Sequence, residues 1–112
     1  MSPGAHVLGE LEQMVLLAVA RLGDEAYAVS VRDEIHAAAR VDLSRGTIYV
    51  TLDRLEQKGL LASRFSDPVA ERGGKARRCF TLKAAGAKAL RESQRALASL
   101  WAGVDLAKGR VT

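Results

Sequence analysis

The sequence predicts a mainly α fold with one small β-hairpin and a long helix at its C-terminal end. Three observations carry this. Apolar residues recur at helical spacing in three early segments and one late one. Between them, residues 60–83 change to short strand-forming runs around a Gly-Gly pair. Only five residues are aromatic (Tyr27, Tyr49, Phe65, Phe80 and Trp101), so a core built by these segments is largely aliphatic.

The first helix is expected over residues 8–22, because Leu8, Leu11, Val15, Ala18, Val19 and Leu22 fall on one stripe and Gly23 stops it. Met14, Leu16 and Leu17 widen that stripe, which predicts burial on a second side, against another subunit. A second helix follows over about 26–40, with Val29, Ile35, Ala38 and Ala39 inward. Ser44 is a natural N-cap for a third helix, and Gly59 closes it. Ile48, Leu52 and Leu55 claim its inner side. "LLASRFSD" and "RRCFTLK" (residues 77–83) read as the two strands, with Cys79, Thr81 and Lys83 facing away from Phe80 and Leu82. The last helix carries Leu90, Leu97 and Val104 at seven-residue intervals, with Leu100 and Ala107 beside them, which predicts a narrow coiled-coil-like seam. Helices two and three thus form a helix-turn-helix and the hairpin a wing. The chain divides into a winged helix-turn-helix over 1–83 and a dimerisation helix over 84–112.

Length and charge narrow the function. A chain of 112 residues fits one domain, and a domain so small gains from oligomerisation. Its single cysteine excludes an internal disulfide and fits a reducing cytosol. The longest apolar run, Met14 to Ala20, is far too short to span a bilayer, so a cytoplasmic protein with no membrane partner is expected. Residues 1–43 carry three Arg against seven acids, whereas residues 44–83 carry nine Lys or Arg against four acids. Cationic charge concentrated in one region fits a polyanion. There is no phosphate loop, no dinucleotide fingerprint and no convincing nucleophile–base arrangement, which argues against an enzyme and against a cofactor. His6, His36 and Cys79 have no metal-ligand spacing, so no metal is expected.

The third helix supplies the chemistry. Thr47, Thr51, Arg54 and Lys58 recur at i, i+4, i+7 and i+11 away from its inner side, and Ser44, Arg45 and Gly46 lie at its start. Small polar and cationic residues on the first turns of a helix suit entry into a DNA major groove, where Arg45 can fork onto a guanine edge or a phosphate. The competing reading is a solvated helix face. The wing tilts the balance, because Arg72, Lys75, Arg77 and Arg78 cluster on the element that this fold sets beside the third helix.

Three blocks carry a resemblance. "LGELEQMVLLAVARLGDEAYAVSVRDEI", "SRGTIYVTLDRLEQKGLL" and "ERGGKARRCFTLKAAGAKAL" together resemble the PadR family of bacterial transcription regulators, specifically its short members with one C-terminal helix. The resemblance covers about residues 7–105. It implies a winged-helix homodimer that represses target promoters, and the two-fold symmetry of such a dimer predicts an inverted-repeat operator in double-stranded DNA. It also implies an interface built from the first and last helices, here Leu11, Met14, Leu90, Leu97, Leu100, Trp101 and Val104. Gly46, Thr47, Ile48 and Tyr49 match the family's Gly-Thr-x-Tyr block, which opens the recognition helix, and Val50 follows where many members have proline. Ala76 replaces another common proline in the wing. Tyr27 matches a position near the DNA backbone, and Tyr49 is expected on a phosphate oxygen. Some short members bind flat hydrophobic effectors between subunits near an aromatic residue, which by analogy is Trp101; the competing reading is plain dimer packing. The alternative function is a winged-helix module that binds proteins and not DNA. Cys79 is read as an inert strand residue rather than an oxidant sensor.

Overall fold

A computed structural model describes residues 7–66 and 76–111 of the chain. Helix α1 (Glu10–Leu22) is followed by a short 3-10 turn at Gly23–Glu25, and then by α2 (Ala28–Ala39) and α3 (Arg45–Gln57). Strands β1 (Leu61–Phe65) and β2 (Arg78–Leu82) form an antiparallel hairpin in the register Leu61 to Leu82 and Phe65 to Arg78. Helix α4 (Ala84–Trp101) follows, and two very short antiparallel strands, β3 (Val104–Asp105) and β4 (Arg110–Val111), end the described chain.

Local chemistry sets the boundaries. Glycine at φ +59 ends α1 at Gly23. At the start of α3, the Ser44 hydroxyl accepts the Thr47 amide at 3.1 Å, satisfying one of the unpaired donors of the first turn. At its end, Gly59 takes φ +78 and donates to the Glu56 carbonyl, while the Leu60 amide reaches back to the Leu55 carbonyl at 3.0 Å. That pair of bonds is a Schellman closure, and it turns the chain straight into β1.

The core lies where α1, α2 and α3 meet the hairpin. Val15, Leu16 and Val19 from α1, Val31 and Ile35 from α2, and Ile48, Leu52 and Leu55 from α3 are buried against Leu61 and Phe80. Each such side chain contributes roughly 1.5–3 kcal/mol through burial. The Phe80 amide donates to the Ala26 carbonyl at 2.8 Å, and Tyr27 bridges Cys79, so the segment before α2 runs along β2 like a third strand.

Cys79, on the opposite side of β2 from Phe80, is buried as well, and the Tyr27 segment pairs with β2 beside it. One expectation about this region needs correction. The last helix was expected to carry its seam through Val104 and Ala107. It stops at Trp101, Gly103 adopts φ +80, and Val104 lies in β3. The seven-residue repeat therefore loses its last member as a helical position.

Helix α4 is fastened at its first half only. Gly86 lies so close to the hairpin that an added Cβ would meet the Leu60 carbonyl oxygen at 2.4 Å and a Leu82 methyl at 2.6 Å. Ser93 is buried, and its hydroxyl accepts the Leu8 amide at 2.9 Å. Beyond Ser93, Leu97, Leu100 and Trp101 are exposed, Leu100 by 74%.

Candidate nucleic-acid interface and subunit face

The outward side of α3 is built by subtraction. With Ile48, Leu52 and Leu55 turned into the core, Arg45, Gly46, Tyr49, Val50, Asp53 and Arg54 are left exposed. Tyr49 and Val50 are 44% and 56% accessible. Ser44 is exposed as the cap, and Thr47 is half-buried, with its hydroxyl oxygen accepting from Ser44 Oγ at 2.8 Å.

Thr51 departs from the expected groove-facing stripe. It is 1% exposed, and its hydroxyl donates to the Thr47 carbonyl at 2.7 Å. It sits three residues after Ile48 and four before Leu55, which places it inside the buried arc of the helix. The outward stripe is therefore Gly46–Tyr49–Val50–Asp53, one step round from the Thr47–Thr51 line.

The wing flanks this face. A cleft of about 330 Å³ lies between the start of α2, the outer side of α3 and the chain entering β2, and it is lined by Tyr27, Ala28, Val29, Tyr49, Ala76, Arg77 and Arg78. The Arg77 guanidinium stacks over the Tyr27 ring, 3.8 Å from its centroid. Tyr27, Tyr49 and Arg77 thus converge on one concavity, although they lie far apart in sequence. Arg72 and Lys75 lie outside the described residues.

Arg78, expected as a DNA contact, is paired within the chain. Its Nη1 donates to Asp53 at 2.8 Å and its Nη2 to Glu56 at 2.5 Å, both on α3. The Ser63 hydroxyl of β1 completes the cluster with a 2.8 Å bond to Glu56. That bond, aided by Arg78 and opposed by burial, holds the Glu56 carboxyl below its ordinary pKa. Burial works against the charge on Arg78, but Asp53 and Glu56 outweigh it and raise the guanidinium's pKa. Sequence reasoning missed Asp53, Glu56 and Ser63, since their partner lies more than a dozen residues away in the chain.

A second surface is apolar. Leu17 of α1 is exposed between two hollows. One, of about 410 Å³, runs between α1 and α4 and is lined by Gln13, Leu17, Leu90, Arg91, Gln94, Leu97, Ala98 and Trp101. The other, of about 210 Å³, runs between α1 and α2 past Met14, Leu17, Ile35, Ala38 and Ala39. Leu97, Leu100 and Trp101 are exposed, and Leu11, Met14 and Leu90 are half-buried against the chain's own core. Leu17, which sequence reasoning assigned only to a widened stripe, is the residue common to both hollows.

The family model for the transcriptional regulator PadR-like family matches residues 16–92, from within α1 to within α4. The chain belongs to the PadR-like family of transcriptional regulators. A PadR family transcriptional regulator from Eggerthella lenta is 29% identical, with a TM-score of 0.65 over 84% of this chain and 81% of its own. A PadR-like transcription factor from Bacteroides fragilis is 27% identical, with a TM-score of 0.67 over 80% of this chain and 82% of its own. The smu.1704 structure from Streptococcus mutans, 21% identical, shares the fold along 100% of this chain and 98% of its own, with a TM-score of 0.71. No curated protein matches the sequence. The fold is accordingly the winged helix of PadR-like regulators, with α3 as the second helix of the helix-turn-helix and β1–β2 as the wing. Among the described residues no helix is long and apolar enough to cross a membrane.

Proposed function

We propose that this PadR-like regulator is a sequence-specific DNA-binding protein acting as a homodimeric repressor on an inverted-repeat operator. One observation carries the reading. The first two turns of α3 expose Arg45, Gly46, Tyr49 and Val50 beside the Tyr27–Arg77 cleft, while the rest of the helix is anchored in the core. Small and cationic groups at a capped helix start suit a major groove, and the cleft beside them suits the flanking phosphates. Residues 1–83 form the DNA-reading unit and residues 84–112 the dimerisation unit.

The dimer reading is supported by the apolar strip along Leu17, Leu97, Leu100 and Trp101, which a small domain would cover with a second copy. Two-fold symmetry then sets the two α3 helices about one DNA turn, roughly 34 Å, apart. Trp101 lines the hollow between α1 and α4, where a flat hydrophobic effector would lie at the subunit boundary. Such an effector regulates only if it binds one spacing of the two α3 helices better than the other.

A salt titration on duplex DNA tests the reading. Affinity is expected to fall with a log–log slope of about −0.9 per phosphate neutralised. A flat response with no preference for duplex DNA would overturn it in favour of a protein-interaction module.

A further inference from the structure

Helix α3 contains a contradiction if it enters a polyanion's groove. Asp53 lies on its outward stripe, three residues after Val50 and four after Tyr49, and its side chain is half exposed. Glu56 follows one turn later. Two carboxylates on or beside a DNA-facing stripe repel phosphates, unless a cation neutralises them.

Arg78 is placed to do so. Its three nitrogens each have a partner: Asp53 at 2.8 Å, Glu56 at 2.5 Å and the Ser63 hydroxyl at 3.4 Å. The guanidinium also lies over the Phe80 ring, 4.8 Å from the centroid. To reach a phosphate it would have to leave two carboxylates together. Its neighbour Arg77 has no carboxylate partner among the described residues and stacks on Tyr27 in the open cleft. Adjacent residues of an extended chain point to opposite sides, so the pair divides its tasks.

We propose that Arg78 is the internal counter-ion of the recognition helix, a positioning residue that fixes the wing to α3 and masks Asp53 and Glu56 from DNA, while Arg77 alone of the pair contacts the backbone. This rests on the DNA-binding reading above. The bridge spans β2 and α3, so it also sets the angle between the two elements that would grip the duplex.

The test measures binding to a mixed-sequence duplex long enough for two half-sites, as a function of salt. Arg78→Met is expected to weaken binding about tenfold at low salt, through two unmasked carboxylates whose repulsion is screened as salt rises. Adding Asp53→Asn and Glu56→Gln is expected to restore affinity to within about twofold of wild type, since no charge is then left to mask. Arg77→Met is expected to flatten the slope by about 0.9. A triple variant left as weak as the single one, or one whose salt slope is flatter than wild type by about 0.9, overturns the proposal. Should Arg78→Met not fold, NMR of the wild type decides. The Arg78 Nε resonance should hold still as duplex is added while that of Arg77 moves, and equal movement of both overturns the assignment. A wild type indifferent to the duplex at low salt would instead remove the DNA-binding reading, and this one with it; a wild type that binds separates the two outcomes.

Discussion

Helices α3 and α4 both bury one side in their own chain and leave another side bare, but the bare sides differ in chemistry. On α3 the uncovered residues are Arg45, Gly46, Tyr49, Val50, Asp53, Arg54 and Gln57, mostly polar. On the distal half of α4 they include Leu97, Leu100 and Trp101. The means of attachment differ as well. Three aliphatic side chains hold α3 along its length, whereas α4 is held through Gly86, Leu90 and Ser93 and is free of the core beyond them. A helix rigidly seated in the core can present a fixed polar surface to a rigid polyanion. A helix anchored at one end and apolar at the other is suited to a second copy of the chain, because an exposed apolar strip gains most from being covered. On this view the two helices serve two partners, DNA and a sister subunit.

The sharpest way to break that contrast is at the far end of α4. Leu97→Asp should raise the dimer dissociation constant on the order of a hundredfold or more, since it would bury an unpaired charge at the subunit boundary. Sedimentation would show monomers whose circular dichroism is unchanged, because Leu97 is 42% exposed within its own chain. A dimer of undiminished stability would take distal α4 out of the interface. The matching change on α3 is Arg45→Ala. It should cost about 1–3 kcal/mol of discrimination between the selected operator and unrelated duplex, read from competition binding. Unaltered preference would mean that the start of α3 does not read bases. A smaller effect probes the anchor. Gly86→Ala gains up to about 1 kcal/mol of helix propensity but forces a Cβ onto the Leu60 carbonyl, which typically costs about 1–3 kcal/mol. Backbone cannot move aside as a flexible side chain can, so net destabilisation is expected in urea titration. A stabilised variant would show that α4 is not seated as described.

These predictions also mark how far the sequence could be read. The three early helices, the hairpin and the N-cap at Ser44 were legible because each rests on local signals: periodicity, a capping hydroxyl, glycine stops. The family blocks were legible for the same reason. What was lost depends on distance in the chain. Arg78 could be counted as a cation, but not seen to be shared with Asp53 and Glu56, because nothing local announces a partner more than twenty residues away. Cys79 was set opposite Phe80 by strand alternation, but its burial was not legible, because nothing local announces that the Tyr27 segment pairs beside β2. The seam was carried to Val104 because a seven-residue count continues through Gly103, whereas the backbone there takes φ +80 and ends the helix. Alternation and heptads describe one element's sides; they do not say which neighbour covers a side, nor when the element stops.

Thr51 provides the finest test of the contrast, because it separates residue type from position on the helix. As a threonine four residues after Thr47 it looked like part of the DNA-facing line, but its surroundings are those of the core. Its hydroxyl hydrogen-bonds within the helix to the Thr47 carbonyl, which the helical amide four residues on can satisfy without it. Thr51→Val keeps the shape, removes one buried hydroxyl and leaves no strong acceptor unmet. The expected change in stability is therefore under about 1 kcal/mol in either direction, the loss of a neutral hydrogen bond being offset by easier burial. Binding to operator and to unrelated duplex should both stay within about twofold of wild type, since a fully buried group meets no base. Arg45→Ala and Thr51→Val thus form a pair on one helix, one expected to change preference and the other not. Lost operator preference in Thr51→Val, with stability intact, would show that α3 turns about its axis when it meets DNA and that its bare side is not the one seen here.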